Sequence, residues 1–267
     1  MYLIIGSTGL LGQALTKRFD CKIIPKSIYG EWYDKSKKSE ITQYFRSIGT
    51  NKTIILFIAT GITDSQNTNL KNINYLLPKN IILALQEENT QIVTFGSILE
   101  YLMPELNSYS KSKSMLSKFI QNQDLNLKNL FHIRLHTIYG AQRIHQHMFL
   151  GQIMNSLRSN SIFKMSSGNQ LREYHHIDDI LKCIELILKK NGAGIINLNH
   201  GKPVRLIDLA QFLFRFFSKE HLLEVDKKNI ITNEIHQKLT KHYAYSKLPS
   251  RNYLYDIANY FQDQLLN

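Results

Sequence analysis

Three glycines spaced three apart, Gly6, Gly9 and Gly12, lie between a short apolar run, Tyr2 to Ile5, and a helical stretch, Gln13 to Phe19. This placement constrains the fold more than any other feature. A continuous apolar run with no alternation suits a strand buried on both faces of a parallel sheet. Glycines directly after it let the backbone turn sharply and let a pyrophosphate approach the next helix, whose N-terminus offers unpaired N–H groups and the positive end of its dipole. The residues expected to cradle such a ligand are Gly6, Thr8, Gly9, Leu10, Leu11 and Gly12.

The alternation continues down the chain. A second strand is expected at Cys21 to Pro25, a third at Thr53 to Ile58, a helix at Asn74 to Gln86, a strand at Gln91 to Phe95, a helix at Ser108 to Gln121 and a strand at Leu130 to Leu135. Beyond these, helical patterns run over Phe149 to Leu157, Ile177 to Lys189 and Leu206 to Phe217, with a strand at Gly194 to Asn199. Strand and helix in turn predict an α/β fold, a Rossmann-like doubly wound parallel sheet, with a smaller lobe interleaved late in the chain. The expected division is a dinucleotide-binding domain over 1–140, rejoined by 177–199, and a substrate lobe over 141–176 and 200–267. The polar, lysine-rich stretch from Tyr29 to Glu40 reads as a surface excursion.

In such folds an acidic residue after the second strand binds a ribose 2′-hydroxyl, whereas a basic one accommodates a 2′-phosphate. Here Pro25, Lys26 and Ser27 follow, with no carboxylate before Glu31, so NADP(H) is favoured over NAD(H) and Lys26 is its expected ligand. Arg18 is a second candidate if its helix presents it inward. Tyr109 and Lys113, four apart on one helical face, form a potential proton-exchanging pair, because an adjacent ammonium lowers a phenol's pKa. Ser97 lies just past a strand, where its side chain reaches the carboxyl edge of the sheet.

At this point the chain resembles the extended short-chain dehydrogenase/reductases, the NAD-dependent epimerase/dehydratase family acting on nucleotide sugars. The shared features, in family order, are the G-x-x-G-x-x-G turn, the helix from Asn74 with its second asparagine at Asn80, and the serine strand end from Ser97 to Tyr101. Tyr109 with Lys113, Arg134 to Gly140 (RLHTIYG), Arg172 to Asp179 (REYHHIDD) and Asn197 to Leu209 continue the series. The resemblance implies that Tyr109 is the general acid/base, Lys113 its modulator and a ribose ligand, and Ser97 a donor to the reacting oxygen. It implies further that Ala59 and Thr60 line the cofactor, that Asn74 is a supporting polar group, and that Thr137 and Arg172 meet the substrate, a nucleotide-diphosphate sugar.

Departures narrow the activity. Ile98 and Leu99 follow Ser97, where the family's 4,6-dehydratases carry Asp-Glu and its epimerase-reductases a cysteine. Thr137 replaces the usual asparagine and Ala141 the usual proline. These features favour an NADPH-dependent 4-ketoreductase of deoxysugar biosynthesis for surface polysaccharide over an epimerase holding NAD tightly or a non-catalytic NADP sensor. A homodimer is the family's usual state.

The formal charge of +12 is consistent with anionic small-molecule ligands and, with no nucleic-acid motif present, calls for no polymer. The His145/His147 and His175/His176 pairs lack the cysteine or carboxylate spacing of a zinc site, so no metal is expected. Cys21 and Cys183 are too few for a disulfide framework and read as buried bystanders of a reducing compartment. No basic-flanked leader and no apolar run approaching about 18 residues is seen, so a cytoplasmic protein without a membrane segment is expected.

Overall fold

The computed structural model describes residues 1–48, 53–122, 129–141, 144–190, 192–229 and 237–266. The chain separates into two compact units, Met1–Leu135 with Glu185–Leu198, and His136–Ile184 with Asn199–Asn267.

The first unit is built on a six-stranded parallel sheet. Its strands are β1 (Tyr2–Ile5), β2 (Lys22–Ile23), β3 (Ile54–Ile58), β4 (Thr90–Ser97), β5 (Leu130–Leu135) and β10 (Gly194–Asn197), in the order β10-β5-β4-β3-β1-β2. The three central apolar runs bury both faces, as a parallel sheet covered by helices requires. The chain reverses its direction of travel across the sheet between β1 and β3, which opens a crevice at their carboxyl ends.

Helices cover the sheet: α1 (Leu10–Phe19), the single turn α2 (Lys26–Tyr29), α3 (Lys38–Ser47), α4 (Leu77–Leu85), α5 (Leu99–Leu102) and α6 (Ser108–Asn122). The expected helix from Asn74 opens instead with a π-helical turn over Asn72–Leu76, in which the Leu77 amide bonds the Asn72 carbonyl. Pro78 gives the reason. It has no N–H for the Asn74 carbonyl and its ring would crowd that oxygen in a regular α-turn, so the wider turn accommodates it.

The stretch from Tyr29 to Glu40 is no surface excursion. Trp32 is fully buried in the core with Ile41, Phe45 and Ile81, its indole N–H donates to Glu40, and the Asn80 amide donates to the Trp32 and Tyr33 carbonyls. One large aromatic outweighs the lysines around it, which remain in water. The second strand is also shorter than expected, because Ile23 is half exposed at the sheet edge.

The second unit contains three two-stranded pairs: β6 (Thr137–Tyr139) with β9 (Tyr174–His176), β7 (Phe163–Ser166) with β12 (Leu223–Asp226), and β8 (Leu171–Arg172) with β11 (Val204–Arg205). Around them pack α7 (Phe149–Ser159), α9 (Leu206–Phe216), α10 (Tyr243–Ser246) and α11 (Tyr253–Leu266); α8 (Ile177–Leu188) leads back to the sheet. Leu209, Leu213 and Phe214 of α9 are fully buried with Ile257 and Phe261 of α11, so the aromatic-rich helix is a core helix. No helix among the described residues is long and apolar enough to cross a membrane.

Candidate active site

The glycine turn lies in the crevice between β1 and β3. Gly6 has φ +82°, and a Cβ there would lie 2.5 Å from the Thr60 nitrogen. A Cβ on Gly12 would lie 2.0 Å from the Gly6 carbonyl oxygen, so both positions require glycine on the protein's own account. Gly9 does not. Its φ of −74° suits any residue, and a Cβ there would meet nothing within 4 Å. The missing side chain keeps open the approach to the N-terminus of α1, which no side chain caps. Thr8, Leu10 and Leu11 complete this turn, with Thr8 exposed and its carbonyl held by Gln13.

Ala59 and Thr60 face the turn from the end of β3. Among the described residues, Thr60 Oγ1 is the one buried side-chain polar atom without a hydrogen-bond partner. A native interior leaves such an atom unpaired rarely, and a bound ligand is one way to satisfy it. An uncapped helix N-terminus, an open Gly9 and an orphan hydroxyl beside Gly6 together fit a dinucleotide. Lys26 is exposed in the first turn of α2. Arg18 points elsewhere, pairing with Glu185 at 2.7 Å on the protein surface. Tyr29, which sequence reasoning passed over, places its hydroxyl where it accepts the Gly6 backbone N–H.

The candidate reacting groups converge beside this turn. Ser97 ends β4, and Tyr109 and Lys113 lie one turn apart on α6. The Ser97 hydroxyl accepts the Leu99 N–H at 3.2 Å and lies near enough to the Tyr109 side chain to influence its proton affinity. Lys113 is buried, donates to the Phe95 carbonyl at 3.0 Å, and lies close enough to Gly61 that a Cβ there would be 3.4 Å from its Nζ. Asn74 supports this arrangement from behind. Its amide accepts the Ile62 N–H and donates to the Ile62 carbonyl and the Ser112 hydroxyl, each at 2.9 Å, pinning the loop after Thr60 to α6.

In the free protein Tyr109 titrates above the usual phenol range: burial pushes it up, the Ser97 hydroxyl pulls it back, and Glu100 adds to the rise. Burial likewise lowers Lys113, with Glu100 opposing. Sequence spacing suggested a phenol made more acidic by its lysine; desolvation of both groups reverses that balance.

Thr137 and Arg172 belong to the second unit. Thr137 is half-buried in β6, paired in register with Tyr174. Arg172 donates to the Leu171 carbonyl, while Asp179 is engaged by Arg251 and Asp178 lies 3.7 Å from His176. The same unit brings His136, Glu173 and His175 together, with three donor atoms within 4.8 Å of one another. The His136 and His175 rings stack at 17°, and their Nε2 atoms are bonded to Asn199 and Glu173.

A parallel, doubly wound sheet with a glycine turn at its switch point and a Ser-Tyr-Lys group at its carboxyl edge defines a nicotinamide-dependent enzyme of the extended reductase type. The model of the NAD dependent epimerase/dehydratase family matches residues 2–199, and the chain belongs to that family. Among solved structures it is similar to the Bordetella bronchiseptica enzyme WbmG in complex with NAD (14% identity, 100% of this chain and 95% of that one, TM-score 0.75). It is similar also to dTDP-4-dehydrorhamnose reductase from Bacillus anthracis in complex with NADP (15%, 98% of each chain, TM-score 0.72). UDP-N-acetylglucosamine 4-epimerase from Methanobrevibacter ruminantium aligns at 12% identity over 98% of each chain, with a TM-score of 0.75.

Proposed function

We propose that this enzyme reduces the 4-keto group of a nucleotide-diphosphate sugar, using NADPH. The observation that carries this reading is the placement of Ser97 at the end of β4 with Tyr109 and Lys113 one turn apart on α6, in a chain with no carboxylate between β2 and Glu31. Reduction needs a proton donor, and a phenol is protonated at neutral pH.

The bound nicotinamide would supply the hydride to the carbonyl carbon. Ser97 polarises the carbonyl oxygen, and Tyr109 gives that oxygen its proton as the alcohol forms. Lys113 then eases the phenolate left behind, which draws its next proton from solvent. The turn from Gly6 through Thr8, Gly9, Leu10 and Leu11 to Gly12 would hold the pyrophosphate, with Ala59 and Thr60 beside it. Lys26 would meet the 2′-phosphate, consistent with the absence of any carboxylate between β2 and Glu31. Asn74 acts as a support of the site, and Thr137 and Arg172 are assigned to the sugar and its diphosphate, for which a forked guanidinium is suited. The enzyme would work in the cytoplasm, as a homodimer.

The test is direct. Incubation with NADPH and a panel of dTDP-, CDP- and GDP-linked 4-keto-6-deoxyhexoses is expected to consume the 340 nm absorbance with at least one member. No oxidation with any of them sinks the reading, and NAD retained through dialysis replaces it with an epimerase.

A further inference from the structure

Glu100 is a carboxylate that the chemistry above does not use, buried directly behind the reacting groups. It lies in α5, three residues past Ser97, and is 4% exposed. Its Oε2 accepts the Ser97 backbone N–H at 3.2 Å. Its Oε1 accepts from the Ser117 hydroxyl at 2.5 Å and from Arg134 Nε at 2.8 Å, and lies 2.7 Å from His132 Nε2. Room for this exists only because residue 96 is glycine: a Cβ there would lie 2.5 Å from both Glu100 Oε1 and His132 Nε2. The partners are themselves fixed. His132 Nδ1 meets the Thr94 hydroxyl at 2.7 Å, and Arg134 donates to Asn197 with its guanidinium 5.1 Å from the Tyr101 ring centre.

We propose that Glu100 is a positioning residue of this active site: through the Ser97 amide it fixes the serine at the end of β4, and it places a buried negative charge behind Tyr109 and Lys113. The proposal rests on the reading of Ser97, Tyr109 and Lys113 as the reacting groups. Its geometric half follows from the serine being held at both ends, by Glu100 at the backbone N–H and by the Leu99 N–H at the hydroxyl. The electrostatic half follows from a fixed anion behind a phenol and an ammonium. Burial raises the Glu100 pKa, but His132, Ser117 and Arg134 together hold it down to about 2. A negative charge so placed increases the proton affinity of both Tyr109 and Lys113. The titratable and charged groups facing Glu100 are Tyr109 and Lys113 from α6 and His132 and Arg134 from β5, with Tyr101 on its own helix.

Two variants test it, E100Q and E100D, each followed by the pH dependence of kcat/KM and by ultraviolet titration of Tyr109 against a Y109F background. In E100Q the side chain is isosteric but uncharged. Its kcat/KM is expected to fall about tenfold at the optimum, the scale of one lost buried hydrogen bond. Its alkaline limb and its tyrosine titration should both move to lower pH. E100D keeps the charge but withdraws the oxygen from Ser97, so kcat should fall while the limb stays in place. A limb and titration in E100Q that match wild type overturn the proposal, since a merely structural carboxylate would slow the enzyme without moving them. If E100Q does not fold, E100D decides alone, and a wild-type kcat there overturns the proposal. If no keto sugar is turned over by the wild type, the proposed function fails, but the tyrosine titration still judges Glu100.

Discussion

Each unit buries a glutamate beside histidine, and the two are held by different partners. Glu100 in the first unit is met by the Arg134 guanidinium, a hydroxyl and His132. Glu173 in the second is met by the backbone amides of His200 and Gly201, at 2.7 and 3.1 Å, and by His175 Nε2 at 3.1 Å. One carboxylate is set against a permanent cation, Arg134, next to the proposed reacting groups. The other ties a loop to a strand end through neutral donors, surrounded by His136, His175 and His200. The difference shows that similar burial can serve electrostatics in one place and architecture in the other.

The widest separation between the units should come from Tyr109→Phe. Loss of the proton donor is expected to reduce kcat by roughly 10² to 10⁴-fold with cofactor affinity retained, as isothermal titration and turnover assays would read. If NADPH binding were lost as well, the tyrosine would be a cofactor residue first. Glu173→Gln should leave chemistry alone but cost about 3 kcal/mol in urea denaturation, because the buried His200 and Gly201 amides lose a carboxylate acceptor. A variant as stable as wild type would deny Glu173 its architectural role.

Acidification offers a sharper contrast. Burial, the largest cause in each case, lowers the pKa of His136, His175 and His200, the last to about 3. In the unfolded chain these rings take protons near 6.5. The unfolded state therefore binds more protons as pH falls below that value, and stability declines by up to about 1.4 kcal/mol per pH unit for each such histidine. Glu100 behaves likewise but later. Its contribution is complete above its unfolded value of 4.5 and is lost as pH falls toward about 2. Hydrogen exchange between pH 7 and 5 should thus show the Glu173 loop opening before β4 and α5, and simultaneous opening would erase the distinction. The smallest effect is expected at Lys26→Ala, a loss of about 1 kcal/mol in NADPH affinity with NADH unaffected, the scale of one exposed charge contact. Equal losses for both cofactors would remove Lys26 from the 2′-phosphate.

What could be read in advance follows a physical rule. The glycine turn, the strand Leu130–Leu135 and the helix from Ser108 were legible because each is a local pattern of adjacent residues. Ser97, Tyr109 and Lys113 were legible as a spacing, but the direction of Tyr109's shift was not, since burial is set by the whole fold. Glu100 left no local trace: its partners His132 and Arg134 lie 32 and 34 residues away. The groups around Glu173, which are His136, His175, His200 and Gly201, are scattered over residues 136–201 for the same reason, and only their convergence gives them meaning. Trp32 was hidden differently, by lysines and acids that dominate its neighbourhood's average.

The π-helical turn over Asn72–Leu76 carries a consequence for how this sequence can change over generations. Such a turn holds one residue more than an α-turn, so deleting a residue there would rotate Asn74 by about 100° relative to α4 and tear its amide from Ile62 and Ser112. The same deletion would drive the Pro78 ring onto a carbonyl. Loss of the extra residue is therefore harmful while Pro78 remains, so the proline makes the wider turn a requirement of this sequence.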